Sequence, residues 1–233
     1  MKPIQELIDA TLIRPERVRS GKWSPSSFGN CFRAQFWNRK DVKKSNPPDE
    51  RSLRVFAAGQ LFHDFVQGIM QADSNGDCQI EVIIDTDPDV LGYCDLVRAN
   101  EVVDIKSQHS KMFWWMNKKG ADVKKEKYGN WLQVMYYAIA LEKEFARLVF
   151  ISKDDLCIQE YVQPVDDYWT AEVLKELCAL RMTWEQNVLP AAQPRCERKK
   201  DGTYWHCNYC GWKDLCIKTE HEAERKHPNE GGE

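Results

Sequence analysis

Between Leu53 and Met70 the apolar positions recur at helical spacing, with Gly59, His63, Val66 and Met70 on one stripe and Phe62, Phe65 and Ile69 beside it. A break at Asn46-Pro47-Pro48-Asp49-Glu50 precedes it, and residues 24–40 (SPSSFGNCFRAQFWNRK) predict an earlier helix opened by Ser or Pro caps. The period then changes. Ile80–Ile84 is a β-branched run, and Val90–Arg98 and Glu101–Ser107 predict a hairpin across Ala99-Asn100. Residues 108–127 are polar and predict a mobile loop. Tyr128–Glu142 predicts a helix, Leu148–Ser152 and Leu156–Gln163 a second hairpin over Lys153-Asp154-Asp155. Asp166 or Asp167 is placed to cap a helix through Trp184 that buries Val173, Leu177, Leu180 and Trp184. The residues after Cys216 are charged, and the last seven are expected to fray. Alternating helices and short hairpins predict a mixed α/β (α+β) sheet protein: an N-terminal helical extension (1–25), a core domain (26–206) and a C-terminal lobe (207–233).

The second strand of the first hairpin carries an unusual load. Alternation puts Asp104 and Lys106 on one face and Ile105 on the other, and a buried strand does not carry a carboxylate and an ammonium without compensation. Asp95 lies in the partner strand. Two carboxylates and a backbone carbonyl form a hard-oxygen site suited to Mg²⁺ or Mn²⁺, where Lys106 can polarise water or stabilise charge growing on a phosphate. A bare Asp-x-Lys tripeptide is expected by chance about once in a chain of this length, so context decides. A second constellation is Cys207-x-x-Cys210 followed by Cys216. Three thiolates so spaced suit one metal centre or cluster. As a zinc site they need a fourth ligand, for which His206, Cys196 and His221 are candidates.

Composition bounds the class. The chain has 233 residues, 42% hydrophobic and 30% charged, an ordinary globular balance. Its longest apolar stretch, Val134 to Leu141, is far short of a bilayer span, and the first residues lack a signal-peptide core. A cytoplasmic setting is therefore expected, with the nine Cys as thiols or metal ligands. The net charge of −3 argues at first against a nucleic-acid partner. Its distribution argues the other way: Arg33–Lys44, Lys111–Lys127 and Arg195–Lys200 together carry +11 against −14 elsewhere. Residues 111–127 interleave Lys with Phe113, Trp114 and Trp115, a pairing that grips single-stranded nucleic acid by tracking its backbone and stacking on its bases.

Gly92-Tyr93-Cys94-Asp95 followed by Asp104-Ile105-Lys106-Ser107 closely resembles the core of the PD-(D/E)XK nucleases of the RecB-type branch, with their restriction-endonuclease-like fold. The branch's upstream G-x-x-x-H helix is matched by Gly59–His63, and its downstream Q-x-x-x-Y helix by Gln133–Tyr137. The resemblance implies that His63, Asp95, Asp104 and the Ile105 carbonyl bind metal, with Glu81 a further acidic candidate. It makes Lys106 the catalytic lysine and has Gln133 and Tyr137 contact substrate or brace the site. Gln133 and Tyr137 are four apart and share a helical face. The iron–sulfur CRISPR-associated and AddB-like exonucleases of this branch join one N-terminal Cys to three C-terminal ones. That resemblance implies a [4Fe–4S] cluster on Cys31, Cys207, Cys210 and Cys216, tying the chain ends together, with Zn²⁺ the alternative. Cys31-Phe32 departs from the Cys-Pro common there.

The implied function is a metal-dependent deoxyribonuclease, an exonuclease on single-stranded ends, in recombination, repair or CRISPR or phage DNA processing. Lys111, Trp114, Trp115, Lys118, Lys119 and Arg33 are the expected DNA contacts. A recombinase, a helicase or a CRISPR adaptation protein is the expected partner class, in a bacterial, archaeal or phage-infected cell. Two competing readings are a non-catalytic DNA-end-binding accessory protein and a zinc-ribbon adaptor.

Overall fold

The computed structural model describes residues 3–13, 19–73, 76–118, 120–193, 199–200 and 204–226, with side chains described to residue 220. Five strands form one mixed sheet in sequential order: β1 (Gln79–Ile84), β2 (Gly92–Val97), β3 (Glu101–Gln108), β4 (Phe145–Ser152) and β5 (Ile158–Pro164). Neighbours are antiparallel except β3 and β4, which run parallel, with Asp104 opposite Leu148 and Lys106 opposite Phe150. A parallel pair needs a crossover. It is supplied by α4 (Ser110–Met116), α5 (Val123–Glu126) and α6 (Tyr128–Ala140).

Helices cover both faces of this sheet. α6 and α7 (Asp167–Glu185) pack on one face over a core that includes Trp131, Leu132, Met135, Trp169, Leu148 and Phe150. α3 (Glu50–Asp73) lies on the other, setting Phe62, Val66 and Met70 against Leu96, Val103, Ile105 and Ile151. Fully burying side chains such as Ile105 stabilises the fold by about 2 kcal/mol each. α7 begins as its sequence predicts, the Asp166 carboxylate accepting Trp169 N–H at 2.9 Å.

The segment around residues 31–46 meets the C-terminal lobe. Near the N-terminus, α1 (Ile4–Leu12) packs on α3, where Arg54 pairs with Asp9. Trp23 is buried in the main core and bridges Val90. The predicted helix over 24–40 is instead a short 3₁₀ turn (Pro25–Ser27) followed by α2 (Phe32–Arg39) with Cys31 at its N-cap. The break falls at Gly29, which has φ +77° and packs against Gly129, so close that a Cβ would lie 2.8 Å from the Gly129 Cα. The C-terminal lobe holds a 3₁₀ turn (Trp205–Tyr209) and α8 (Lys213–Lys226), and it docks on residues 33–46. Trp212 Nε1 donates to the Val42 carbonyl at 2.9 Å, Asn46 N donates to the Gly211 carbonyl, and Asp214 N donates to Asn46 Oδ1. Trp212 also packs with Phe36 and Trp37. The residues expected to fray, 227–233, lie outside the described residues.

Residues 108–127 are not a loop throughout. His109 accepts Lys111 N–H and Asp122 accepts the N–H groups of Lys124 and Lys125, capping α4 and α5, while Phe113 and Met116 bury beneath α4. Polar composition masked two helices too short for a clear period.

Candidate active site

The site lies where the regular ladder fails. Ile80 faces Leu96 and Val82 faces Cys94, so Glu81 falls opposite Asp95, yet that pair does not join the ladder. Leu96 faces Val103, so Asp95 would fall opposite Asp104, but the β2–β3 pairing stops one residue short. Glu81, Asp95 and Asp104 therefore form one row of carboxylates across three adjacent strands. Alternation fails across the same row. Ile80 and Leu96 pack on the α3 side, whereas Val82 and Cys94, two residues away, pack in the main core. Glu81 itself has φ +50°, a left-handed conformation costly for a residue with a Cβ. β3 remains regular, with Val102 in the main core and Val103 and Ile105 towards α3.

The freed backbone is taken up by side chains. Asp95 Oδ2 accepts the Ile105 N–H at 2.6 Å, and Asp95 Oδ1 lies 3.3 Å from His63 Nδ1 on α3. One turn after His63, the buried Gln67 donates from Nε2 to Glu81 Oε1 at 2.9 Å and to the Asp95 carbonyl at 3.2 Å. Sequence reasoning missed Gln67. Its position four residues from His63, on the same helical face, was the available signal.

On β3, Lys106 Nζ donates to Asp104 Oδ1 at 2.8 Å, and Gln133 Nε2 donates to the same oxygen at 2.9 Å. Asp104 Oδ2 lies 2.7 Å from Lys106 Nζ but outside hydrogen-bond alignment, and this buried oxygen has no hydrogen-bond partner. Gln133 also contacts Tyr137 Oη at 3.4 Å. Tyr137 fits only because residue 92 is glycine: a Cβ there would lie 2.7 Å from Tyr137 Cε1. A Cβ at Gly59, on α3, would lie 3.5 Å from Ser107 Oγ, an ordinary contact, so this glycine is not required by a close approach.

Burial sets the protonation states. Asp104 is pushed up to about 6 by desolvation, only partly offset by Lys106. Desolvation pulls Lys106 down, but Asp104 and Asp95 outweigh it, so Lys106 stays an ammonium and keeps its value above the usual range. His63 follows the same logic, its burial outweighed by the hydrogen bond and charge of Asp95. Desolvation drives Tyr137 far up, leaving a neutral phenol.

The predicted residues are thus brought together in one place: His63, Asp95, Asp104, Lys106, Gln133 and Tyr137, with Glu81 at the exposed end of the row. Asp104 Oδ2, which accepts no hydrogen bond although it lies against the Lys106 ammonium, and the Asp95 carboxylate are hard oxygen donors of the kind that suit a divalent cation. As the side chains stand, Asp104 is paired with Lys106, Asp95 lies against His63 and Glu81 accepts from Gln67. Among the described residues no three His, Cys, Asp or Glu side chains converge as a ligand set.

The cysteine constellation lies about the docked lobe. Cys210 and Cys216 pack at the Phe36–Trp37–Trp212 cluster. Desolvation pushes the Cys210 thiol up, with Cys31 and Cys216 close enough to add to the rise. Arg33 is a correction. Expected to contact DNA, it is 5% exposed, donates to the Pro190 carbonyl at 2.6 Å and to Cys216 Sγ at 3.4 Å, and pairs with Glu220. A basic residue in a charged run looked solvated, but its guanidinium fastens the lobe. Trp114 and Trp115 are exposed, and Trp114 Nε1 is turned onto Asp155 at 2.9 Å. Lys119 and Cys196 lie outside the described residues, as does the side chain of His221.

A five-stranded mixed sheet flanked by helices is an α/β architecture that solved structures share. The crystal structure of SSO0001 aligns with TM-score 0.56 at 17% identity, covering 92% of this chain and 96% of that one. The alkaline exonuclease LHK-Exo from Laribacter hongkongensis aligns with TM-score 0.51 at 14% identity, covering 78% and 93%. At these identities the likeness is one of fold. No family model matches the chain, and no curated protein sequence does. Among the described residues no helix is long and apolar enough to cross a membrane.

Proposed function

We propose that this chain is a metal-dependent deoxyribonuclease of the PD-(D/E)XK type, an exonuclease acting on single-stranded ends. The observation that carries the reading is the interrupted row Glu81–Asp95–Asp104 with the Lys106 ammonium held against it. Asp95, Asp104, the Ile105 carbonyl and His63, with Glu81, would hold Mg²⁺ or Mn²⁺, which would supply Lewis-acid stabilisation at the phosphodiester oxygens. Lys106, kept protonated by its carboxylate neighbours, serves as a fixed cation for charge growing on the phosphate and not as a base. Gln133 orients Asp104 through Oδ1 and leaves Oδ2 free of hydrogen bonds beside the Lys106 ammonium. Tyr137, neutral and wedged over Gly92, braces Gln133. Gln67 fixes Glu81 and the Asp95 backbone. The shared fold of LHK-Exo, a protein described as an alkaline exonuclease, supports the exonuclease choice.

Cys31, Cys207, Cys210 and Cys216 are proposed to hold a [4Fe–4S] cluster that fastens the chain ends, a structural role in which ligand binding becomes folding free energy. A brown preparation containing iron and acid-labile sulfide is expected. A colourless protein with one equivalent of zinc would instead assign the site to Zn²⁺. Recombinase, helicase and CRISPR adaptation proteins are the proposed partner classes, because a single-strand exonuclease depends on another protein to expose its ends.

Linear single strands labelled at either end, and a circular single strand, incubated with Mg²⁺ or Mn²⁺, test the function. Shortening of the linear strands with the circle intact is expected. Equal cutting of the circle would make the protein an endonuclease.

A further inference from the structure

We propose that the open cleft beside the first turn of α6 binds single-stranded DNA and leads it to the site. This deepens the nuclease reading by naming the substrate's path, and it rests on that reading. The cleft has a volume of about 1300 Å³ and lies among α5, the start of α6, residues 28–30 and the stretches 199–200 and 205–206. Lys124, Lys125, Lys199 and Lys200 line it, all exposed, and Lys127 closes its inner side. The opposing acids are Asp122 and Glu126, and the Asp122 carboxylate is already engaged by two α5 N–H groups, at 3.0 and 3.3 Å. The balance is strongly positive, which favours a polyanion.

Three aromatic side chains share this wall. Trp115, Tyr168 and Trp205 are 38%, 55% and 45% exposed. Large rings left open beside lysines are the pairing that holds an unpaired strand, charge on the phosphates and ring faces under the bases. A duplex keeps its base faces stacked inside and would leave these rings without partners. The volume suits on the order of four nucleotides, the lower end for single-strand sites.

The cleft is joined to the site through two elements. Lys127 Nζ donates to Gln108 Oε1 at 3.1 Å, and Gln108 ends β3 two residues after Lys106. Tyr128, Gly129 and Asn130 line the cleft, and Gln133, one turn further along α6, holds Asp104. Of the residues expected from sequence to contact DNA, Trp115 lines this wall. Arg33 is buried, and Trp114 faces Asp155.

The test is fluorescence anisotropy of a labelled oligothymidylate in EDTA, using the full chain, a K124E/K125E variant and W205A, with thermal melts to verify folding. The charge reversal is expected to weaken binding at least tenfold and to lower the logarithmic salt slope by about 1.4, two phosphate contacts at about 0.7 each. W205A is expected to weaken binding about fivefold or more with the slope unchanged. A blunt duplex of equal length should bind more weakly than the single strand. Unchanged affinity and slope in both folded variants, or equal affinity of the wild type for duplex and single strand, would overturn the assignment. Metal-dependent cleavage by the wild type is measured in parallel. A wild type that binds through the cleft but cleaves nothing sinks the nuclease reading and leaves the cleft. Cleavage with unaltered binding in the variants does the reverse.

Discussion

Asp104 carries the central tension between stability and activity. Its carboxylate is 1% exposed, one oxygen accepts no hydrogen bond, and burial outweighs the attraction of Lys106. Its folded-state value, about 6, lies above the unfolded value, so ionisation opposes folding. That penalty is fully present above about pH 6 and vanishes below about pH 4. Asp104→Asn removes that penalty but also takes a carboxylate from the buried Lys106 ammonium, so its stability relative to wild type should shift in the variant's favour between pH 4 and pH 8, while cleavage is abolished. Paired melts in EDTA at the two pH values measure this. A stability difference that does not move in the variant's favour between the two pH values would contradict that expectation. Asp104 and Lys106 drew notice in the sequence because a charged pair in a β-branched strand violates the burial rule, but only the order of the surrounding motifs singled them out together with Asp95. Gln67 did not, since a lone Gln on a helix violates nothing until its partners are known.

Among the elements, β2 is the one on which the site depends. It pairs with β1 on both sides of Asp95 but joins β3 only at Leu96 and Val97, and this divergence before Leu96 opens the row of carboxylates. Gly92, at its start, admits the Tyr137 ring. Gly92→Ala sets a Cβ against that ring and should cost about 1–3 kcal/mol. It should also lower activity by displacing Gln133, as thermal melts and cleavage rates would record. Unchanged values for both would show that α6 shifts freely, contrary to its tight packing. The hairpin over residues 91–107 and α6 were readable because period and turn signals agreed. The failure of alternation at Glu81 and Asp95 was not, because it arises only when three strands are laid side by side. α4 and α5 were hidden for another reason: caps and two buried apolar residues, not periodicity, make them helices.

At the scale of the whole molecule, the C-terminal lobe returns to the N-terminal segment and closes the chain. Trp212 is the hinge of that contact, packed against Phe36 and Trp37 and bonded to the Val42 carbonyl. Trp212→Ala should cost about 3–5 kcal/mol and release α8 to proteolysis. Equal protease resistance of variant and wild type would contradict the fastening role. A tie between the Cys31 segment and the C-terminal lobe was expected through the resemblance that groups Cys31 with Cys207, Cys210 and Cys216, whereas the hydrogen bonds and aromatic packing that join them needed the fold. So did the reassignment of Arg33 from a DNA contact to a buried fastener. The central claim is that the acidic row and its lysine hydrolyse phosphodiesters with a divalent cation. Its most direct test is cleavage of a labelled single strand in Mn²⁺ by anaerobically purified wild type beside Asp104→Ala and Lys106→Ala. The account predicts degradation by the wild type and at least a thousandfold loss in each folded variant, on the order of 4 kcal/mol of transition-state stabilisation. Wild-type rates in both variants would contradict it.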